Sequence, residues 1–382
     1  MRRSSATTLQ DVAREAGVAT MTASVVLNGA KSGTRVSEAT RARIVEVATR
    51  LRYRPNAVAR GLAKLRMDTI GVASIIDGGE VNLYFLEVLS GILEACAKHG
   101  QNTTVFAIED WKRDEQKILQ SCDGRVDGII FIGPMFSAEF AETILHYSPF
   151  VALHSSGFMP KTFDLNVDDE QGAYTIVRHL IEQGHRRIVH FTGGNRQGAQ
   201  RRILGYRRAI EEAGIAFDPA LVLEGEYSEF SGRKQARALI EDGVISPLPT
   251  AIFCANDAIA MGCMEELANY GIHAPDDISI AGFDDLMAAR MTTPPLTTMR
   301  QPFRTMGQRA VELLLLLIKR DKEATTLERD GNTGVAGEQA SPLDPIGISE
   351  PHQQIFETEL VCRQSVGPPP KHIVVPRLLT PS

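Results

Sequence analysis

The stretch from Thr8 to Leu27, TLQDVAREAGVATMTASVVL, constrains this chain more than any other. Leu9, Val12, Ala13 and Ala16 keep the i, i+3, i+4, i+7 spacing of one apolar helical face. Thr8, with Asp11 three residues on, caps the start of that helix. Gly17 stops it, because glycine enters the left-handed region without steric cost. Ala23, Val26 and Leu27 then restart the helical period after a tight turn. Two short helices joined in this way make a helix-turn-helix, whose second helix is sized for the DNA major groove. An ordinary helical hairpin would show the same periodicity, so the surrounding charge decides between them.

The net charge of -6 hides a segregation: residues 1–66 hold 13 Lys and Arg against 4 Asp and Glu, the remainder 28 against 43. A basic head on an acidic body implies that only the head meets a polyanion. At 382 residues, 43% of them hydrophobic, the chain has core enough for two or three domains. Five cysteines (Cys96, Cys122, Cys254, Cys263, Cys362) lack CxxC pairing, and their odd number argues against a disulfide framework and for a reducing cytoplasm. The longest aliphatic run, Leu313 to Ile318, is too short for a bilayer, and no apolar segment of a signal peptide follows Arg2 and Arg3. The sequence thus predicts a cytoplasmic, nucleoid-associated protein without membrane contact.

Ile44, Val45, Ala48 and Leu51 stripe a third helix that Ser37 opens and Arg54-Pro55 ends. With LQDVAREAGV, then Thr22, Ser24, Val26, Leu27 and Asn28 in T-x-S-x-V-L-N, then VSEATR and YRPNAVARGL from Tyr53 to Leu62, the head resembles that of the lactose-repressor (LacI) family. The resemblance implies a DNA-binding head over residues 1–54 and a hinge over 55–67 that folds on DNA. It further implies that two hinges pair in the minor groove, with Leu62 as an apolar wedge. It places Thr8, Thr20, Met21, Thr22, Ser24, Val25, Asn28, Tyr53, Asn56, Ala59, Arg60 and Leu62 at the nucleic acid. The hinge residues agree: Asn56 can cap, and Ala57 to Leu65 suit a helix too short to be stable alone. Arg60, Lys64 and Arg66 would sit near phosphates.

Three positions depart from the family. Ala19 stands where a capping Ser is usual, so the cap is lost or passes to Thr20, and Ala23 replaces a valine in the packing. Val25 stands where many members carry an Arg; an aliphatic side chain cannot pair with guanine O6 and N7 but can touch a thymine methyl. Thr20, Met21 and Val25 are thus expected to read a half-site by apolar contact, with Thr22 and Ser24 on phosphates.

From Asp68 the texture changes. Ile70–Ile76, Thr104–Ile108, Gly128–Ile132 and Phe150–Leu153 read as buried strands, separated by helices at Leu83–Lys98, Arg113–Cys122 and Ala138–Tyr147. Strands at Ile188–Phe191, Leu221–Leu223, Ala251–Cys254 and Ile278–Ala281 then alternate with helices at Glu170–Gln183, Gln200–Ala213, Phe230–Asp242 and Ala258–Tyr270. The predicted class is an all-α head on an α/β body of two doubly wound parallel-sheet lobes, with a ligand cleft at the carboxyl ends of the strands. VDGII, GHRRI, R-x-x-G-Y at Arg202, ANDAIAMG, GFDD and PPLTTMRQPFRTMG resemble, in order, the body of the LacI family and the related periplasmic sugar-binding proteins. The resemblance implies three chain crossings between lobes over residues 68–366, and an effector held by Arg202, Asn256, Asp284, Tyr84, Phe85 and, with weaker motif support, Arg196. A structural ion pair between Arg202 and Asp284 is the plainer alternative.

Other features carry bland readings. His185 reads as a cap or core residue, and no His, Cys or Glu stands at metal spacing. Gly193 and Gly194 belong to no nucleotide fingerprint, and no catalytic constellation is present, so neither cofactor nor enzyme activity is expected. Residues 321–352 read as a mobile insertion, and 367–382 as a flexible tail without leucine heptads. The missing signal peptide and the basic head count against a periplasmic receptor. The sequence therefore predicts a repressor that binds a near-palindromic operator as a homodimer and answers to a small molecule, a sugar by default; a corepressor of purine or other type is the alternative. Circular dichroism should register added helix when operator is titrated into the protein, as the hinge folds; an unchanged helical signal on saturated binding would contradict the hinge.

Overall fold

In a computed structural model of the chain, the residues described are 7–28, 35–54, 61, 66–76, 82–157, 159, 161–241, 243, 245–329 and 353–371, side chains of 324–329 excepted. The head consists of α1 (Leu9–Glu15), α2 (Thr20–Asn28) and α3 (Glu38–Arg50). Thr8 and Asp11 close a reciprocal capping box on α1, at 3.2 Å and 3.0 Å, and Gly17 takes φ +60°. The carbonyl of Ala19 accepts from Ala23 N–H at 3.1 Å, so α2 begins behind a methyl group and Thr20 is its first turn, not its cap. Val12, Ala13, Ala16, Ala23, Ile44, Val47 and Ala48 form the head's core. Ala23 is wholly buried there, as a packing substitution should be.

The first lobe runs β1 (Thr69–Ile75), α4 (Leu83–Lys98), β2 (Asn102–Ile108), α5 (Glu115–Ser121), β3 (Gly128–Ile132), α6 (Ala138–Leu145), β4 (Phe150–Leu153) and β5 (Phe163–Val167). The second runs α7 (Asp169–Glu182), β6 (Ile188–Phe191), α8 (Gln197–Glu212), β7 (Val222–Leu223), α9 (Glu229–Ile240), β8 (Ala251–Cys254), α10 (Asp257–Asn269), β9 (Ser279–Asp284) and β10 (Thr297–Arg300). The chain then returns through α11 (Phe303–Arg329) to β11 (Gln353–Phe356) in the first lobe and ends with β12 (Glu359–Val361) in the second. The sheets order as β11-β5-β4-β3-β1-β2 and β12-β10-β9-β8-β6-β7. Strands buried on both faces, such as GIIFI in β3, need helices on each side, which the alternation supplies.

Three crossings therefore join the lobes, after β5, after β10 and after β11, as the resemblance implies. The expected doubly wound lobes are present. Several details differ from the sequence reading. β5, β10 and β11 were not foreseen as strands, and β12 pairs antiparallel with β10, because it arrives directly from the other lobe rather than through a crossover helix. β7 is only two residues long and follows a 3-10 turn at Pro219–Leu221. α11 continues to Arg329, so the insertion predicted from residue 321 starts as helix. The tail predicted to be flexible from residue 367 is anchored at its start: Gly367 N–H donates to Ser279 Oγ at 3.0 Å. Its carbonyl lies 2.9 Å from His185 Nε2, and His185 is fully buried in the second lobe as a core residue.

α4 and α11 pack closely enough to require glycine at their crossing. A Cβ on Gly91 would stand 2.1 Å from the Arg304 carbonyl oxygen, and one on Gly307 would stand 2.4 Å from that of Val88. Gly307→Ala should therefore lower stability by about 1–3 kcal/mol by forcing the helices apart, visible as a lower thermal midpoint; an unshifted midpoint would show that the crossing yields freely.

Candidate functional site

Two faces of the molecule collect the residues that the sequence singled out. On the head, Met21 is 62% exposed and Thr20 is exposed beside it, while Thr22, Ser24 and Val25 are half-buried. Val26 and Leu27 pack on the head's core and Val25 does not, which leaves the outer side of α2 to Thr20, Met21 and Val25. Asn28 lies on the same helix, its Nδ2 3.4 Å from Ser24 Oγ. Tyr53 packs against the head's core, with its N–H on the Ala48 carbonyl at 2.8 Å. Asn56, Ala59, Arg60 and Leu62 lie outside the described residues. Arg66 pairs with Asp68 at 2.8 Å and approaches Asp127 at 3.7 Å, so it is tied to the body rather than held free for phosphate.

The second face lies where the lobes meet. Arg202 on α8 is 5% exposed and spends three of its five donors on the protein. Its Nε and Nη2 donate to Asp169 Oδ1 at 2.9 Å and 2.8 Å, and Nη1 donates to the Ala255 carbonyl. The guanidinium also lies over the Phe283 ring, its Cζ 3.8 Å from the centroid, with the Tyr227 ring at 5.7 Å. The ion pair foreseen as the plainer alternative is thus real, but its carboxylate is Asp169 and not Asp284.

Asp284, at the end of β9, is 5% exposed and takes φ +125°, an unusual backbone for a non-glycine residue. Gln301 Nε2 donates to its Oδ1 at 2.6 Å. Burial pushes its pKa up to about 7, against the opposing pull of Arg202 and Gln301. From the first lobe, Tyr84 sets its hydroxyl 2.7 Å from His154 Nδ1, and His154 Nε2 lies 3.1 Å from Gln301 Oε1. Burial lowers the pKa of His154 to about 4, so the ring is neutral. Arg196 Nη1 reaches across to the Gly133 carbonyl at 3.3 Å and bridges the lobes directly.

Two predicted residues take other work. Phe85 is 3% exposed in the first lobe's core, so the aromatic edge comes from Tyr84 and not from Phe85. Asn256 caps α10, its Oδ1 accepting from Ile259 N–H at 2.9 Å, which leaves only its amide nitrogen to offer. Asp169, His154, Tyr227 and Gln301 were missed. Gln301 stood inside a quoted motif, and Asp169 opens α7, the first helix of Arg202's own lobe; His154 and Tyr227 gave no periodic signal. Among the described residues, no group of three or more His, Cys, Asp or Glu could hold a metal ion, and no helix is long and apolar enough to cross a membrane.

A helix-turn-helix head followed by a two-lobed α/β body with a polar interlobe site defines a ligand-responsive DNA-binding regulator. Residues 8–56 match the bacterial regulatory proteins of the lacI family, and residues 177–333 match a periplasmic binding protein-like domain. The chain is 35% identical over 324 residues to the HTH-type transcriptional repressor PurR of Vibrio campbellii, covering 83% of this chain and 93% of that one. It is 34% identical over 328 residues to PurR of Vibrio atlanticus, covering 84% and 95%. Among solved structures it is similar to the lac repressor dimer bound to operator and the anti-inducer ONPF, with TM-score 0.73 and 25% identity over 94% of this chain and 99% of that chain. A complex of the transcriptional regulator CelR with cellobiose gives TM-score 0.65 at 25% identity, with the same coverage. The chain belongs to the LacI family of transcriptional repressors.

The raised pKa of Asp284 has a consequence for stability. Between its unfolded value near 4 and its folded value of about 7, the native state holds a proton that the unfolded chain has lost, so this group's contribution falls as pH rises through that window. Asp284→Asn, which can still accept from Gln301, should raise the unfolding free energy at pH 8 by roughly 1–3 kcal/mol and by much less at pH 5. An equal effect at both pH values would show that the carboxyl is not protonated in the native state near pH 5.

Proposed function

We propose that this repressor binds a near-palindromic operator as a homodimer and is released by a small polyhydroxylated effector, a sugar, seated between its lobes. The reading rests on one observation above the others. Asp284 is a buried acceptor within electrostatic range of Arg202, which keeps two of its five donors unused, and the amide nitrogen of Asn256, at the start of α10, adds a third donor; such a set suits hydroxyl groups. Arg196 and Tyr84 close the site from the bridging loop and the first lobe. Thr20, Met21 and Val25 read each half-site by apolar contact, with Thr22, Ser24, Asn28, Thr8 and Tyr53 toward the backbone. Asn56, Ala59, Arg60 and Leu62 act in the hinge. Leu83, Leu86 and Leu93 form an exposed stripe on α4, with Val105 exposed on the neighbouring β2, and this apolar surface supports pairing of two copies.

A second reading, a flat purine-type corepressor, draws on two phenol rings. Tyr84 and Tyr227 both lie within electrostatic range of Arg202 and Asp284, and the relatives quoted carry the name PurR.

The deciding experiment is operator binding by purified protein at fixed salt, with and without a panel of sugars, sugar acids and purines. Loss of affinity with one sugar is the expected result. A gain makes the ligand a corepressor, and indifference to the whole panel removes the effector assignment of the cleft. Selection of operators from random DNA should return half-sites in which the base pair opposite Val25 carries a thymine methyl; an indispensable guanine there would refute the apolar readout.

A further inference from the structure

Tyr84, His154, Gln301 and Asp284 form one hydrogen-bonded chain that leaves the first lobe, passes through the second crossing and ends on the second lobe's carboxylate. Its contacts measure 2.7 Å, 3.1 Å and 2.6 Å in that order. Tyr84 and His154 are held edge to face, with ring centroids 5.3 Å apart, and Phe303 packs against both at 5.1 Å and 6.0 Å. Each link fixes the next. An amide has a donor end and an acceptor end; Gln301 turns its donor to Asp284, so its oxygen faces His154. A neutral imidazole carries one proton, which must then sit on Nε2 and point at that oxygen. Nδ1 is left bare and takes the proton of the Tyr84 hydroxyl. The phenol's only proton is thus consumed inside the protein.

We infer that His154 and Gln301 are positioning residues that set the hydrogen-bond polarity of the cleft, making Tyr84, like Asp284, an acceptor toward the effector. This rests on the effector reading of the cleft proposed above and narrows its chemistry. The ligand presents hydroxyl or ring N–H donors to both Tyr84 and Asp284, and turns acceptor atoms toward Arg196 and Arg202. A carbonyl or carboxylate edge set against Tyr84 would meet only lone pairs. One other polarity is geometrically open. With the Gln301 amide reversed, the imidazole proton would move to Nδ1 and Tyr84 could donate outward, but the amide oxygen would then oppose a carboxylate oxygen. That arrangement is tolerable only when Asp284 is protonated, so above neutral pH the first polarity prevails.

The test uses full-length protein labelled with [15N]histidine at pH 8, without any effector, read by long-range 1H–15N correlation. His154 is identified by the signal lost in His154→Asn, or, should that variant not fold, as the one histidine perturbed by Tyr84→Phe. The expected spectrum has a protonated Nε2 and a bare Nδ1 in His154, and Tyr84→Phe, which removes one hydroxyl, shifts Nδ1. A proton on Nδ1, a doubly protonated ring, or histidine resonances that all ignore Tyr84→Phe overturns the inference. A histidine that did not accept the Tyr84 proton on Nδ1 would not respond in this nitrogen-specific way. Because no effector is in the sample, this result fails separately from the operator assay, in which an unresponsive panel sinks the effector reading itself.

Discussion

A buried guanidinium is tolerated only where its charge and its donors are met together, and Arg202 meets that condition where three segments converge. Asp169 is the first residue of α7, immediately after the chain enters the second lobe; Ala255 follows β8; Phe283 lies in β9. Desolvating the two charges costs several kcal/mol each, so the pair stabilises only if its geometry is kept. Asp169 also sits where the α7 dipole favours a negative charge. The consequence is a rigid corner: α7, α8 and the carboxyl ends of β8 and β9 cannot shift relative to one another without exposing an unmet charge. Asp284 is the next residue after Phe283, so its position is inherited from that corner.

Against this rigid corner the first lobe contributes adaptable contacts. Tyr84, His154 and the Gly133 carbonyl reach the second lobe through single hydrogen bonds, by way of Gln301 or of Arg196. Links of about 1 kcal/mol each can be exchanged for bonds to a ligand at little net cost, whereas the Arg202–Asp169 pair cannot. The asymmetry suits a regulator whose lobes move as units. A ligand seated at Asp284 would compete with Gln301 for one carboxylate and so bear on the crossing that leads into α11. Coupling between cleft and head then requires only that the two lobe arrangements hold the hinges differently.

Much of this was legible in the sequence, for physical reasons that particular residues display. The head was readable because capping chemistry and the 3.6-residue period act locally: Thr8, Asp11 and Gly17 do what their types dictate. The buried strands of both lobes were readable because runs such as IVHF have no other stable place. β10 and β11 were not, since TTMR and QQIF are short and largely polar and become strands only by pairing with a partner distant in sequence. The same limit explains the site. Asp284, Arg202 and Arg196 came through resemblance, while His154 and Tyr227 entered the site through tertiary contact alone. Phe85 was misplaced and Asn256 was half read, because one residue in a motif can serve packing or capping as well as a ligand, and only the neighbours decide.

The three crossings also bear on how the protein is made. β5 is bordered by β4 on one side and by β11 on the other, so the first sheet's edge at Asp164 waits for Gln353 to be synthesised. During translation the nascent first lobe carries an unfinished edge, and lacks α11 to cover Val72, Ile130 and Leu153, through the whole production of the second. Exposed strand edges and uncovered aliphatic sheets invite pairing with other chains. Emergence of α11, β11 and β12 from the ribosome, rather than completion of either lobe in turn, is the event that closes both cores together. A nascent chain stalled before α11 should therefore be a client for chaperones even though most of its strands already exist.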